Sequence, residues 1–200
     1  MKIKAVIFDF GGVIAEEGFQ EGLYAIARKF GLDQKRFFQL ANEAVYSSGY
    51  VTGNGSEHDY WNDVRRHSNI VAPDDELRQE ILSRFIPREW LLETVKSLKQ
   101  QGILTAILSD QSDWLDQLDA QYHFFQYFDV VFNSYHLGKT KRDPSSFTDV
   151  LQALQVNAAE ALFVDDNIGH IDRAVASGLQ THHFEGREGF IKKLSELGLQ

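Results

Sequence analysis

Lys4-Ala5-Val6-Ile7-Phe8-Asp9-Phe10-Gly11-Gly12-Val13-Ile14 is the stretch from which the fold can be read. Ala5 to Phe8 is apolar, β-branched and aromatic, and too short for a helix, which predicts a buried strand. Asp9 then stands at the strand's C-terminal end, the edge where open α/β sheets bind their ligands. Gly11 and Gly12 allow a sharp turn and a close backbone approach to whatever Asp9 holds. Taken alone, the stretch describes equally well a buried strand that leaves through a glycine turn with Asp9 as its cap. The rest of the chain decides between the two.

The 200 residues, 43% of them hydrophobic, suffice for one packed core or a core with a small satellite. A net charge of −9 without any basic run argues against nucleic acid or an anionic membrane as partner. With no cysteine, neither a disulfide framework nor a thiolate zinc site is available. The lysines before the first apolar run resemble a signal peptide, but Asp9 interrupts the run, and no later stretch is long enough to span a bilayer. A cytoplasmic protein is expected.

After Ile14 the pattern is helical for some seventy residues. Phe19, Leu23, Ile26 and Phe30 recur at helical spacing before Gly31. Asp33 can cap a second helix bearing Phe37, Leu40, Ala41 and Ala44. A polar loop, Gly49 to Gly55, precedes Ser56 and Asp59, a capping pair for a third helix with Trp61 and Val64. Pro73 and Asp74 open a fourth, striped by Leu77, Ile81 and Phe85, and Pro87 ends it. Short loops between such helices predict an antiparallel bundle. Its aromatic residues, among them Phe19, Phe38 and Tyr46, read mostly as core by their spacing.

From Pro87 the chain alternates. Helices are predicted over 90–101, 111–120, 144–154, 168–177 and 190–197, and strands over 103–108, 130–133, 161–164 and 181–184. Apolar strands separated by helices imply a parallel sheet covered on both faces. The expected architecture is an α/β, Rossmann-like three-layer core built from residues 1–14 and 87–200, with a four-helix cap inserted at 15–86.

In a parallel sheet Asp9, Ser109-Asp110 and Asp165-Asp166 end strands at one rim, joined there by the loop holding Lys139 and Lys141. Carboxylates, a hydroxyl and a lysine at one place are what metal-assisted phosphoryl transfer requires. Oxygen ligands from Asp9 and Asp166 suit Mg²⁺, which screens carboxylate from phosphate. Asp9 could then attack phosphorus, while Ser109 and a lysine hold the other phosphoryl oxygens.

With these motifs the chain resembles the haloacid dehalogenase-like (HAD) hydrolase superfamily over essentially its full length, and within it the small-capped bacterial sugar-phosphate phosphatases of the α-glucose-1-phosphatase type. The first family motif, Asp-x-Asp-Gly-Thr/Val, falls on Asp9-Phe10-Gly11-Gly12-Val13 and the second on Ser109. The third falls on Gly138-Lys139-Thr140-Lys141-Arg142-Asp143-Pro144, making Lys141 the motif lysine, and the fourth on Asp165-Asp166. The resemblance implies catalytic roles for Asp9, Ser109 and Lys141, and substrate binding by Ser109, Asp110 and Lys141. It also implies Mg²⁺ ligation by Asp9, Asp166 and the Gly11 carbonyl, with Asp165 close behind or joining them.

The chain departs from the family pattern in three places. Gly11 replaces the second aspartate, the general acid/base, whose loss typically costs about 10²–10⁴-fold; Glu16, Glu17 and His58 are the candidate substitutes. Asp110 stands where the family often has Asn, and its carboxylate is expected to turn away from phosphate. Arg142 replaces proline and could add a phosphate contact. The expectation is a Mg²⁺-dependent phosphatase of a small phosphorylated, sugar phosphate-like metabolite, with the 49–55 loop as specificity element. The alternatives are a catalytically impaired domain binding a phosphometabolite or a protein, and a metal-independent dehalogenase, against which the Asp165-Asp166 pair argues.

Overall fold

A computed structural model describes residues 2–199. Its single sheet has five parallel strands in the order β3-β2-β1-β4-β5. They are β1 (Ala5–Phe8), β2 (Leu104–Ser109), β3 (Val130–Asn133), β4 (Ala161–Asp165) and β5 (Gln180–His183). The central β1 pairs Ala5 with Leu104 on one side and with Ala161 on the other. Between β1 and β2 run α1 (Gly18–Lys29), α2 (Gln34–Ser47), α3 (Glu57–Ser68), α4 (Asp74–Leu82) and α5 (Glu89–Gln100). After β2 comes α6 (Trp114–Tyr122), after β3 the short α7 (Ser134–Leu137) and α8 (Ser145–Leu154). The helices α9 (Ile168–Ala176) and α10 (Arg187–Glu196) follow β4 and β5.

Strand residues alternate between two faces, and each face is covered, which produces three layers. Val6, Phe8, Ile107, Leu162 and Val164 pack against Leu91 and Val95 of α5, Leu115 of α6 and Phe190 of α10. Ala5, Ile7, Ala106, Leu108 and Phe163 pack against Phe147 and Val150 of α8 and Ile171 of α9.

Local signals set the inserted helices. Asp33 accepts the Arg36 N–H at 2.9 Å, and Ser56 and Asp59 form a reciprocal capping box. These helices share one hydrophobic cluster with the adjacent sheet face, because Tyr50, Tyr60 and Trp61 pack around Trp114 of α6. Within the 49–55 loop Tyr50–Thr52 makes one 3₁₀ turn, whose Val51 carbonyl accepts the Ser134 hydroxyl at 2.7 Å, and the Tyr50 hydroxyl donates to Asp113. At the root of the insertion the Arg88 guanidinium donates to the carbonyls of Gly12, Val13 and Ala15 at 2.6–2.7 Å.

The helix expected from Gln111 begins instead at Trp114. The carbonyls of Gln111 and Ser112 accept from Ser134 Oγ (3.0 Å) and Asn133 Nδ2 (2.8 Å), so tertiary bonds to the end of β3 hold these two residues out of the helix. The last helix starts three residues early, at Arg187. The unanticipated α7 is a single turn in which Asn133 Oδ1 accepts the Tyr135 N–H at 3.2 Å, a unit too short for periodicity to register. No helix among the described residues is long and apolar enough to cross a membrane.

Candidate active site

Because the strands are parallel, Asp9, Ser109-Asp110 and Asp165-Asp166 emerge at one edge of the sheet. All but Asp165 line a cavity of about 260 Å³, together with Gly11 and Lys141. The insertion supplies the opposite wall through Glu17, Phe19, Gln20, Phe38, Asn42 and Tyr46. Phe19, Phe38 and Tyr46 therefore face the cavity in part, whereas Tyr50, Tyr60 and Trp61 are core, as their spacing implied.

Lys141 is the electrostatic centre. Its fully buried ammonium lies 2.6 Å from Asp165 Oδ2 and 3.0 Å from Asp9 Oδ1. Burial disfavours that charge, but the Asp165 and Asp9 carboxylates outweigh it and raise the lysine's pKa. Its backbone N–H donates to Asp110 Oδ1 at 2.8 Å, which ties Asp110 to the lysine loop. Asp165 is equally buried. Its Oδ1 accepts the Asn167 N–H at 2.7 Å and its Oδ2 meets Lys141 and, at 3.1 Å, His170 Nδ1. Burial raises the Asp165 pKa, yet Lys141 and His170 prevail and lower it to about 2. Expected close behind the metal ligands or joining them, Asp165 has both oxygens bonded to neighbouring groups and stands behind Lys141. Asp9, Asp165 and His170 each bring a ligand atom within 4.8 Å of the others, but the lysine ammonium already bonds two of the three.

The pocket-facing carboxylates are crowded. Asp9 Oδ1 accepts the Phe10 N–H at 2.7 Å. Burial raises the Asp9 pKa, Lys141 pulls it down and Asp165 pushes it up, for a net rise. Asp166 is pushed up to about 7, first by partial desolvation and then by the charges of Asp9, Asp165 and Glu17, although its surface opens to solvent. Glu17 caps α1, its Oε1 accepting the Gln20 N–H at 2.9 Å, and burial raises its pKa as well. Gly12 makes the crowding possible: at φ +75° it lies so close to Asp166 that a Cβ would stand 2.1 Å from Asp166 Oδ2.

Three carboxylates that hold their protons unusually tightly thus share the pocket with one lysine, which is already paired. Such a donor set favours an added cation, and the oxygens of Asp9, Asp166 and the Gly11 carbonyl suit a hard divalent ion such as Mg²⁺. Asp110 Oδ2 is buried with no hydrogen-bond partner, His170 Nε2 being 3.9 Å away.

Other candidates fall elsewhere. Lys139 bonds Ser145 Oγ and Asp149, each at 2.7 Å, on α8. Arg142, expected as a phosphate contact, instead lays its guanidinium 3.6 Å from the centre of the Tyr46 ring. Glu16 pairs with Arg88 at 2.7 Å, and His58 pairs with Asp74 at the exposed surface. Of the proposed acid/base substitutes only Glu17 lines the cavity beside Asp9. Sequence reasoning missed His170, although its place four residues before the buried Ala174 puts both on the inward face of α9.

Comparison with known proteins points the same way. The sequence pattern described as haloacid dehalogenase-like hydrolase matches residues 3–178. A protein named as a phosphatase from Mycobacterium tuberculosis is 22% identical over 99% of this chain and 96% of its own. A HAD family enzyme from Bacteroides thetaiotaomicron, solved in complex with magnesium and inorganic phosphate, superposes with a TM-score of 0.69 at 19% identity, covering 90% of this chain and 93% of that one. L-2-haloacid dehalogenase from Xanthobacter autotrophicus superposes with a TM-score of 0.68 at 20% identity, covering 97% and 83%. At such identities the structural likeness shows the fold.

Proposed function

We propose, from the premise that this chain belongs to the haloacid dehalogenase-like hydrolase family, that it is a phosphatase of a small phosphorylated, sugar phosphate-like metabolite with Asp9 as nucleophile. The observation that carries this reading is the excess of carboxylates around one lysine, already paired with two of them, at the sheet's C-terminal edge. That charge distribution suits a substrate delivered with a divalent cation. Mg²⁺, held by Asp9, Asp166 and the Gly11 carbonyl, would supply charge neutralisation of the phosphoryl group. The magnesium and phosphate in the Bacteroides enzyme support this assignment.

In this reading Asp9 attacks phosphorus and becomes an aspartyl-phosphate, which water then hydrolyses. Lys141, held in place by Asp165, and Ser109 at the end of β2 bind the remaining phosphoryl oxygens. Residues 15–86 act as the cap, and the small cavity limits the leaving group to a compact one. Dehalogenation by Asp9 is disfavoured because the departing halide would face Glu17, Asp110 and Asp166, and among the described residues the cavity is lined by no lysine or arginine besides the paired Lys141.

Phosphate release from a panel of sugar phosphates and p-nitrophenyl phosphate, with Mg²⁺ and then with EDTA, tests the proposal. Metal-dependent release that disappears in Asp9→Asn supports it. Absence of release from every compound would leave the phosphate-binding domain as the better account.

A further inference from the structure

Two protons must move in the proposed reaction, and the residue that moves them is not evident from the sequence, where Gly11 occupies the position of the usual acid. The structure assigns this task to Glu17: its carboxyl group, supplied from the N-cap of α1, borders the space that a side chain on residue 11 would enter. This inference rests on the phosphatase reading.

The geometry is specific. A Cβ built on Gly11 would stand 3.5 Å from Glu17 Oε2. The same Cβ would be 3.3 Å from Phe85 Cε1 and 3.9 Å from Gln111 Nε2, so the space beside Gly11 is bounded by Glu17 on its polar side. Oε1 of Glu17 is anchored on the Gln20 N–H at the N-terminus of α1, which fixes the direction of the carboxyl group. Phe19 and Gln20, two and three residues on, line the same cavity as Glu17 and Asp9, so Glu17 lies where the nucleophile's cavity meets the cap wall.

Asp166, which also lines the cavity, is taken up by the proposed metal site, and Asp110 Oδ2 is unpartnered but sealed from solvent; the remaining titratable groups are turned to neighbours. Asp165 holds Lys141, Asp110 Oδ1 accepts the Lys141 N–H, and His170 Nδ1 is on Asp165. Glu16 is turned to Arg88 and His58 to Asp74.

The steps balance as follows. Asp9 forms a bond to phosphorus as the bond from phosphorus to the leaving oxygen breaks, and that oxygen takes the proton from the Glu17 carboxyl. The resulting Glu17 carboxylate then takes a proton from water as the water oxygen attacks phosphorus. The bond from phosphorus to Asp9 breaks, and free phosphate leaves with Asp9 and Glu17 restored.

Glu17→Gln tests this, because the amide oxygen can still cap α1 and thermal melting verifies that the fold is kept. p-Nitrophenolate departs without needing a proton. The variant should therefore release about one nitrophenolate per chain in a burst, then stall with one phosphoryl group added to its intact mass. Steady-state turnover should fall about 10²–10⁴-fold. Glu17→Asp, which keeps the acid but withdraws it, should lie in between. Gly11→Asp combined with Glu17→Gln should regain turnover over Glu17→Gln alone, since the carboxyl would enter the same space from the other side, with Phe85 shifting slightly. Turnover in Glu17→Gln within about threefold of the native protein, or a loss without burst and without rescue by the double variant, overturns the assignment. Native turnover and its loss in Asp9→Asn are read in the same assay. An inactive native protein removes both readings, and an active one indifferent to Glu17 removes only this one.

Discussion

Lys141 Nζ and Asp165 Oδ2 are 2.6 Å apart, and neither side chain has any solvent exposure. Such a pair is expensive to break from one side, because the remaining charge stays buried without its partner. Lys141→Met should cost about 3–5 kcal/mol of stability, read by chemical denaturation, besides abolishing turnover. Lys141→Met with Asp165→Leu should recover most of the stability and none of the activity. A single variant as stable as the native chain would contradict this account of the pair.

Asp9→Asn removes the nucleophile but leaves Lys141 on Asp165, so the buried cation keeps a partner. Melting within a few degrees of the native protein is expected, with phosphate release lost. Residual release by that variant in the presence of Mg²⁺ would exclude Asp9 as nucleophile.

Gly12 and Gly31 both have positive φ, at +75° and +67°, but only Gly12 is crowded. Alanine at either position should cost about 1–2 kcal/mol for the left-handed backbone. At Gly12 the new Cβ would also collide with Asp166 Oδ2, whereas at Gly31 nothing lies within 4 Å. Gly12→Ala should therefore weaken Mg²⁺ binding and activity, measured by titration calorimetry and phosphate release, while Gly31→Ala spares both. Equal effects of the two variants would refute a special role for the Gly12 approach.

Metal-free protein should lose stability as pH rises from about 4 to about 7. Asp166, at about 7 when folded against 3.8 for an ordinary aspartate, retains in that window a proton that the unfolded chain has lost. Asp9 and Glu17, also raised, act in the same sense. Asp165 acts oppositely: lowered to about 2, it contributes stability above the ordinary aspartate range that is lost as pH falls toward 2. Melting temperatures in EDTA should therefore peak between these windows, Asp166→Asn should flatten the neutral limb, and Mg²⁺ should stabilise more at pH 8 than at pH 5. A neutral limb that rises with pH would show that the carboxylates are not in conflict.

Much of the candidate site was legible because it depends on local pattern. The apolar runs ending in Asp9, Ser109 and Asp165-Asp166 specify strands, and parallel pairing then sends their ends to one edge. The motif spacing also distinguished Lys141 from Lys139, whose ammonium the structure turns to Ser145 and Asp149 of α8. The start of α6 was not legible, since the hydrogen bonds that hold Gln111 and Ser112 out of the helix come from Asn133 and Ser134. Arg142 reads as a free cation until Tyr46 of α2 is seen beneath it.

The sequence alone determined the alternation of strands and helices, the four-helix insertion between the first two strands and the carboxylate-rich rim, because period, caps and glycine turns act over a few residues. Only the tertiary structure decided what each carboxylate does. Asp165 buttresses Lys141, Asp166 lies against Gly12, and Glu17 borders the space beside Gly11. Those relationships join residues on different elements at distances of a few ångströms, and they are set by the strand order β3-β2-β1-β4-β5 and by where the cap segment that carries Glu17 meets the cavity, neither of which local periodicity encodes.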